Sequence, residues 1–241
     1  MKLLWPALLC SIFSSCALGA VEDIKVNLQA SQYDGDYLGV LRVGYDFTDQ
    51  FSASIDIDTE KYLEVGASYS VIKGNWYLET YARYGFGDEL SMTLENEQNL
   101  KYQTHIYDVG FLAGKAINNQ VFTYLDTSIQ YRNPSHNIDL PSMVDGSVAY
   151  ELNQQTEWNN TLAVDYSPID WLSLGLSYNF DFLLGDHPYE NNLRDSVDVS
   201  VSLNLPYITP YARYTKGEYR VRPNQPVEDS SYTEIGFYFS F

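Results

Sequence analysis

Hydrophobic and polar residues alternate along most of the chain with a period of two. In the stretch Phe51–Asp58 the odd positions are apolar and the even positions are serine or aspartate. Residues 231–241 show the same alternation, with Ile235, Phe237 and Phe239 on one face and Glu234 on the other. Because successive side chains of a strand point to opposite faces, this pattern predicts β-strands with one apolar and one polar face.

The alternation predicts about twelve strands, separated by turns rich in Gly, Asn, Asp and Pro. Short connections alternate with long polar ones, as they do when one end of a barrel faces the periplasm and the other faces outward. The predicted strands are Ile24–Tyr33, 37–47, Phe51–Asp58, 62–71, Trp76–Phe86, 104–116, 121–132, 156–166, 171–183, 195–205, Ile208–Tyr219 and 231–241.

Residues 133–155 are ambiguous, because 146–152 could form another strand. A bacterial barrel has an even number of strands, since both of its termini lie on the periplasmic side. We therefore interpret residues 133–155 as an external loop or as a strand extension beyond the membrane.

The first twenty residues differ from the rest of the chain. Lys2 precedes an apolar stretch that is too short to span a bilayer, and small residues follow up to Ala20. This pattern is typical of a secretory signal peptide over residues 1–20. Both cysteines, Cys10 and Cys16, lie within it, so cleavage leaves a mature chain without thiols. The alternative is a lipoprotein site at residues 13–16, which differs from the usual lipobox in carrying phenylalanine in place of leucine.

Charge and hydropathy narrow the class of protein further. The 241 residues carry a formal net charge of -18, so a positive patch for nucleic acid is not expected. After the signal peptide no apolar run is long enough for a transmembrane helix. The remaining structure that can span a membrane is a closed barrel, in which all backbone groups pair between strands. The sequence therefore predicts an all-β fold, with residues 21–241 forming one transmembrane antiparallel β-barrel domain in the outer membrane, in contact with its lipid and lipopolysaccharide.

Two segments near the end of the chain resemble a known family. Residues 205–214 (LPYITPYARY) and 231–239 (SYTEIGFYF) are similar to the closing hairpin of the oligogalacturonate-specific (KdgM-type) porins, and residues 170–176 (DWLSLGL) are similar too. That family also includes channels for sialic acid. The resemblance implies a monomeric twelve-stranded barrel that passes acidic oligosaccharides. Independently of that family, the last strand, which ends on Phe241, is similar to the closing strand of bacterial outer-membrane barrels, which resembles a recognition signal for the barrel insertion machinery.

The family's pore is lined by basic residues that meet sugar carboxylates. The positions here that combine a basic side chain with inward parity are Lys25, Arg42, Arg83, Arg132 and Arg213. Acidic residues outnumber them on the same face, at Asp46, Asp56, Asp58, Glu64, Glu79, Asp108, Asp126, Glu157, Asp165, Asp181, Asp198 and Glu234.

These inward charges have two interpretations. They pair across the wall and fill the barrel, or they form a charge-selective constriction, which with acids in excess favours cations or neutral sugars. Tyrosines with inward parity have the same two roles, packing or stacking on a sliding sugar. They are Tyr62, Tyr77, Tyr81, Tyr124 and Tyr211.

A catalytic barrel is an alternative. A phospholipase-type barrel needs a serine bonded to an oriented histidine, and a protease-type barrel needs aspartate and histidine at the outer rim. Only Asp186 with His187, or Asp88 with His105, could serve in the second role, while His136 falls in a predicted loop. Without a matching motif we predict no catalytic residue, cofactor or metal ligand.

A non-conducting structural or adhesive barrel is the third alternative. The acidic pairs at residues 88–89 and 228–229 could bind calcium, but exposed acidic loops are usually solvated surface. The sequence therefore favours a passive outer-membrane channel for small hydrophilic solutes, oligosaccharides among them.

Overall fold

A computed structural model describes residues 24–33, 36–87, 90–93, 99–136, 155–185, 191–219, 228–229 and 231–240. Within these residues no helix is long and apolar enough to cross a membrane. The strands are β1 (Ile24–Tyr33), β2 (Asp36–Asp46), β3 (Phe51–Asp58), β4 (Leu63–Lys73), β5 (Trp76–Phe86), β6 (Leu90–Thr93), β7 (Asn99–Ala116), β8 (Val121–His136), β9 (Gln155–Ile169), β10 (Leu172–Leu184), β11 (Asn192–Leu203), β12 (Ile208–Tyr219), β13 (Glu228–Asp229) and β14 (Tyr232–Ser240).

The strands form a closed antiparallel barrel. Each long strand pairs with the next long strand along the chain, and β14 pairs with both β12 and β1, which closes the sheet. The two short strands lie outside this circuit, since β6 pairs with β7 and β13 pairs with β12. Twelve strands therefore form the barrel, as the alternation predicts.

The predicted strand positions are confirmed, and the bounds of β1, β3, β5 and β12 coincide with the predicted ones. Strands β7 and β8 are longer than predicted, because β7 begins at Asn99 and β8 continues to His136. This extension agrees with the second interpretation of residues 133–155. Residues 137–154, with the candidate strand 146–152, lie outside the described residues, as does the predicted signal peptide.

The two faces of the wall have opposite polarity. On β3, the side chain of Ile55 is 44% exposed on the outer face, whereas neighbouring Asp56 is 8% exposed and faces inward. Valine and leucine residues such as Val109, Leu162 and Val199 are more than half exposed on the outside. A water-soluble barrel would bury these side chains, so the polarity is that of a barrel whose outer face contacts lipid.

Aromatic rings lie flat against the inner wall over glycines of the neighbouring strand. A Cβ atom built on Gly110 would lie 2.2 Å from Cζ of Tyr81, and one built on Gly236 would lie 2.7 Å from Cζ of Tyr211. Because glycine has no side chain, the ring occupies wall space and leaves the centre of the barrel free. The same contact recurs for Tyr62 over Gly85 and Phe122 over Gly114.

The pairing that closes the barrel is reinforced by side chains. The ring of Tyr211 on β12 crosses Gly236 on β14, and its hydroxyl accepts a hydrogen bond from Nε2 of Gln29 on β1 at 2.9 Å. The Tyr211 ring also stacks on Tyr238, with 4.7 Å between ring centroids. Three strands are thus tied together where the two ends of the sheet meet.

Candidate functional site

The strand register places the sequence-predicted charged residues on the inner face of the barrel. Arg42 lies opposite Asp56, Arg83 opposite Asp108, and Arg213 opposite Glu234 in the ladders. Lys25, Glu64, Glu79, Asp126, Arg132, Asp165 and Asp198 have the same inward parity. Their assignment as pore-lining residues stays a prediction.

Each predicted base has an acidic partner on a neighbouring strand. Nζ of Lys25 lies 2.6 Å from Oδ2 of Asp46, and Nε of Arg132 lies 2.7 Å from Oε1 of Glu157. Arg83 lies between two carboxylates, 3.8 Å from Glu64 and 3.9 Å from Asp108. Arg42 donates to both carboxylate oxygens of Asp56, and Arg213 donates to Glu234. The bases are therefore already neutralised by the wall, which agrees with the first interpretation of the inward charges.

One inward base was missed by the sequence analysis. Arg194 pairs with Tyr219 in the ladder, so it faces inward, and its Nε lies 2.7 Å from Oδ2 of Asp181. The predicted strand began at residue 195, whereas β11 begins at Asn192, so Arg194 fell outside the prediction. The register between β10 and β11 shifts next to Asp181, and this irregularity interrupts the alternation that would have extended the strand.

Several inward carboxylates have no base beside them. In the part of the chain that the structure describes, Glu79, Asp126, Asp165 and Asp198 have no lysine or arginine nitrogen within 4.0 Å. Neutral donors take the place of a base for most of them: Tyr77 donates to Glu79, Tyr81 to Asp126 at 2.8 Å, and Asn179 to Asp198 at 2.9 Å. The inner face therefore carries an excess of negative charge.

Most of the predicted inward tyrosines donate a hydrogen bond to an inward carboxylate. The hydroxyl of Tyr62 donates to Glu64 at 3.1 Å, and that of Tyr211 donates to Glu234 at 2.5 Å. Together with Tyr77 and Tyr81, they are fixed against the wall, which favours packing over solute stacking. Tyr124 differs, because no carboxylate in the described residues accepts a hydrogen bond from it.

Among the recesses that the described residues line, one small and one large recess lie on opposite sides of the interior, where inward side chains are small. The small recess, of about 130 Å³, lies over β3 and β4 beside Ser52, Ser54, Gly66 and Ser68. The large recess, of about 580 Å³, lies over β8 to β12 and β14, and Thr161, Ser177 and Ser196 form its floor. The barrel interior therefore contains space large enough for a small solute.

His105 is the one histidine whose side chain lies within the described residues. His105 lies on the outer face, where its Nδ1 is 2.8 Å from the hydroxyl of Tyr84 and its ring stacks on that of Tyr84. Asp88, Asp186 and His187 lie outside the described residues, and so does the side chain of His136. No group of three or more metal-ligating side chains occurs in the described ranges.

The acidic pair at residues 228–229 forms the short strand β13. Asp229 accepts hydrogen bonds from the backbone nitrogen of Ser231 at 2.9 Å and from its hydroxyl at 2.6 Å. These bonds hold the pKa of the exposed Asp229 carboxyl below its ordinary value.

No family model matches the sequence, and no curated protein is detectably similar to it. Solved structures do resemble the fold. The NanC porin aligns with a TM-score of 0.62 at 11% identity, over 90% of this chain and 100% of that chain. The KdgM porin, solved in complex with disordered oligogalacturonate, aligns with a TM-score of 0.53 at 14% identity, over 90% of this chain and 99% of that chain.

A barrel of a different type aligns as well. The translocator domain of the autotransporter NalP from Neisseria meningitidis has a TM-score of 0.56 at 10% identity, over 99% of this chain and 95% of that chain. The expected likeness to KdgM-type porins is thus confirmed in three dimensions. At these identities the comparisons establish the fold: a closed twelve-stranded antiparallel barrel shared with small porins.

Proposed function

We propose that this protein is a monomeric outer-membrane channel through which small hydrophilic solutes diffuse passively, with a preference for cations and uncharged solutes over anions. Two features support the membrane location: the outer face is apolar, and the strands pair in a closed circuit, so that no edge strand is left open to lipid. An outer-membrane barrel has an even strand number, and this one has twelve.

The observation that carries the proposal is the polar interior with solute-sized space. Inward positions are occupied by serine, threonine and charged side chains, and aromatic rings lie flat over glycines instead of projecting into the barrel. A purely structural barrel of this size would be expected to fill its interior with packed side chains.

The direction of the proposed selectivity follows from the charges. Each arginine and lysine on the inner face is compensated by a carboxylate, while Glu79, Asp126, Asp165 and Asp198 are not compensated by a base in the described residues. A solute in the lumen therefore meets a net negative field, which attracts cations and repels carboxylates. This preference differs from the acidic oligosaccharides that the family resemblance implies.

The test is conductance in planar bilayers. Refolded protein lacking residues 1–20 should give discrete current steps, and in a salt gradient the reversal potential should have the sign of a cation-selective pore. Galacturonate oligomers should not block the current. Well-folded barrels without conductance would refute the proposal that the protein is a channel. A reversal potential with the sign of an anion-selective pore would refute the proposed selectivity.

A further inference from the structure

The large recess is framed by one continuous row of side chains on the inner wall. In the ladders Tyr124 on β8 lies opposite Ala163, followed on successive strands by Ser177, Asp198, Thr215 and, on β14, Tyr232. Small side chains occupy the middle of the row and tyrosines occupy both ends. The volume of about 580 Å³ lies in the range of roughly 300–1,000 Å³ that is common for small-molecule pockets.

Polar atoms in this recess lack protein partners. The hydroxyl of Thr215 has no hydrogen-bond partner in the described part of the chain, although the residue is only 4% exposed. Oδ1 of Asp198, which faces Thr215 in the ladder, also has none, and neither does Nε of Arg213 on the same strand as Thr215. Buried polar groups are normally paired, so these three atoms point to a ligand that supplies both donors and acceptors.

The charges of the recess disfavour an ionic ligand. The two arginines that line it, Arg194 and Arg213, are already paired with Asp181 and Glu234. Asp198 receives hydrogen bonds from Ser177 and Asn179 but has no basic partner in the described residues. An anionic sugar would meet this uncompensated carboxylate, and a simple cation would leave the N–H of Arg213 without an acceptor.

We infer that the large recess is a binding site for an uncharged oligosaccharide of two or three units. Adjacent sugar hydroxyls donate to Asp198, accept from Arg213 and exchange a hydrogen bond with Thr215, and tyrosine rings at the margins pack on the sugar faces. The inference rests on the proposed channel, because the ligand reaches the recess through the lumen.

The test is equilibrium binding by calorimetry with the full mature barrel in detergent. The probes are maltotriose and cellotriose as uncharged sugars, trigalacturonate as an anion and choline as an organic cation. At least one uncharged trisaccharide should bind, and neither trigalacturonate nor choline should bind more tightly. Tighter binding of either charged probe, or binding of none of the four, would overturn the inference.

Matched variants locate the site. Thr215→Val removes the hydroxyl at nearly constant volume and should weaken binding about fivefold, the effect of one net hydrogen bond. Thr233→Val makes the same change on the outer face of β14 and should leave binding unchanged. Equal binding by wild type and Thr215→Val would contradict the placement.

The measurements of binding and conductance test the proposed site and the proposed channel independently. Conductance without sugar binding would retain the channel and reject the site. Sugar binding without conductance would retain the site and reject the channel. Ser177→Ala, which removes a second hydroxyl from the floor of the recess, provides an independent variant should Thr215→Val fold poorly.

Discussion

The contact between Tyr81 and Gly110 allows a quantitative test of how the lumen is kept open. In Gly110→Ala the new Cβ would lie 2.2 Å from Cζ and 2.3 Å from the hydroxyl oxygen of Tyr81. The three nearest atoms all belong to the Tyr81 side chain, so the ring has to leave the wall while the backbone can stay in place. The space available to the displaced ring is the lumen.

The displacement breaks two interactions of Tyr81. Its hydroxyl donates to Oδ1 of Asp126 at 2.8 Å, a bond to a charged acceptor worth about 1.5 kcal/mol. The Arg83 guanidinium lies 4.2 Å from the ring centroid, which contributes about 0.5–1 kcal/mol. With about 1 kcal/mol of strain from overpacking, the free energy of unfolding should fall by about 3 kcal/mol in Gly110→Ala.

The measurement is urea unfolding of the refolded barrel in detergent micelles, followed by tryptophan fluorescence. Single-channel conductance should fall as well, because the ring enters the lumen. Gly44→Ala is the matched control: Gly44 also faces inward on a strand, but its added Cβ has no neighbour closer than 3.8 Å. We expect a change below about 0.5 kcal/mol for this variant.

A double-mutant cycle separates the clash from any intrinsic effect of alanine on the strand. In a Tyr81→Ala background, Gly110→Ala should have almost no further effect on stability, because the atoms that clash are absent. If Gly110→Ala destabilised the barrel equally in both backgrounds, the explanation based on the ring would be refuted.

Three further predictions concern the two faces of the wall. Val199→Arg places a charge on the outer face and should lower the free energy of unfolding in lipid bilayers by about 2–4 kcal/mol. The next residue, Ser200, faces inward, so Ser200→Arg should lower the free energy of unfolding clearly less. Equal losses for the two variants would contradict the assignment of faces. Arg213→Met leaves Glu234 buried without its cation, and urea titration should show a loss of about 2 kcal/mol, less than for a fully buried pair because the Arg213 side chain is 39% exposed. Asp165→Asn removes one uncompensated carboxylate and should move the reversal potential towards zero; a shift towards stronger cation selectivity would be inconsistent with the proposed field.

The strands were predictable because alternation is a local property of the sequence. β5 was predicted with its observed bounds, since Trp76 and Phe86 mark the ends of an uninterrupted alternation. β7 was predicted to start at residue 104, whereas it begins at Asn99. Outside the lipid layer an outward residue has no need to be apolar, so the pattern fades before the strand ends.

The side-chain contacts inside the barrel were harder to predict from the sequence. Tyr81 and Asp126 are 45 positions apart, and their hydrogen bond spans strands that are not neighbours along the chain. Such contacts depend on the stagger of all intervening strands, which alternation does not specify. The large recess did leave a signal in the small inward residues Thr161, Ser177 and Ser196, but its unpaired polar atoms become recognisable only with coordinates.

The single pairing of β1 with β14 has a consequence for biogenesis. Every other barrel pairing joins strands that follow one another, so this one alone brings the two ends of the chain together. A polypeptide truncated before Tyr232 would leave β1 and β12 as open edges, whose backbone groups lipid cannot satisfy. We therefore expect membrane insertion to depend on completion of the chain, since a polypeptide that lacks β14 cannot close the sheet.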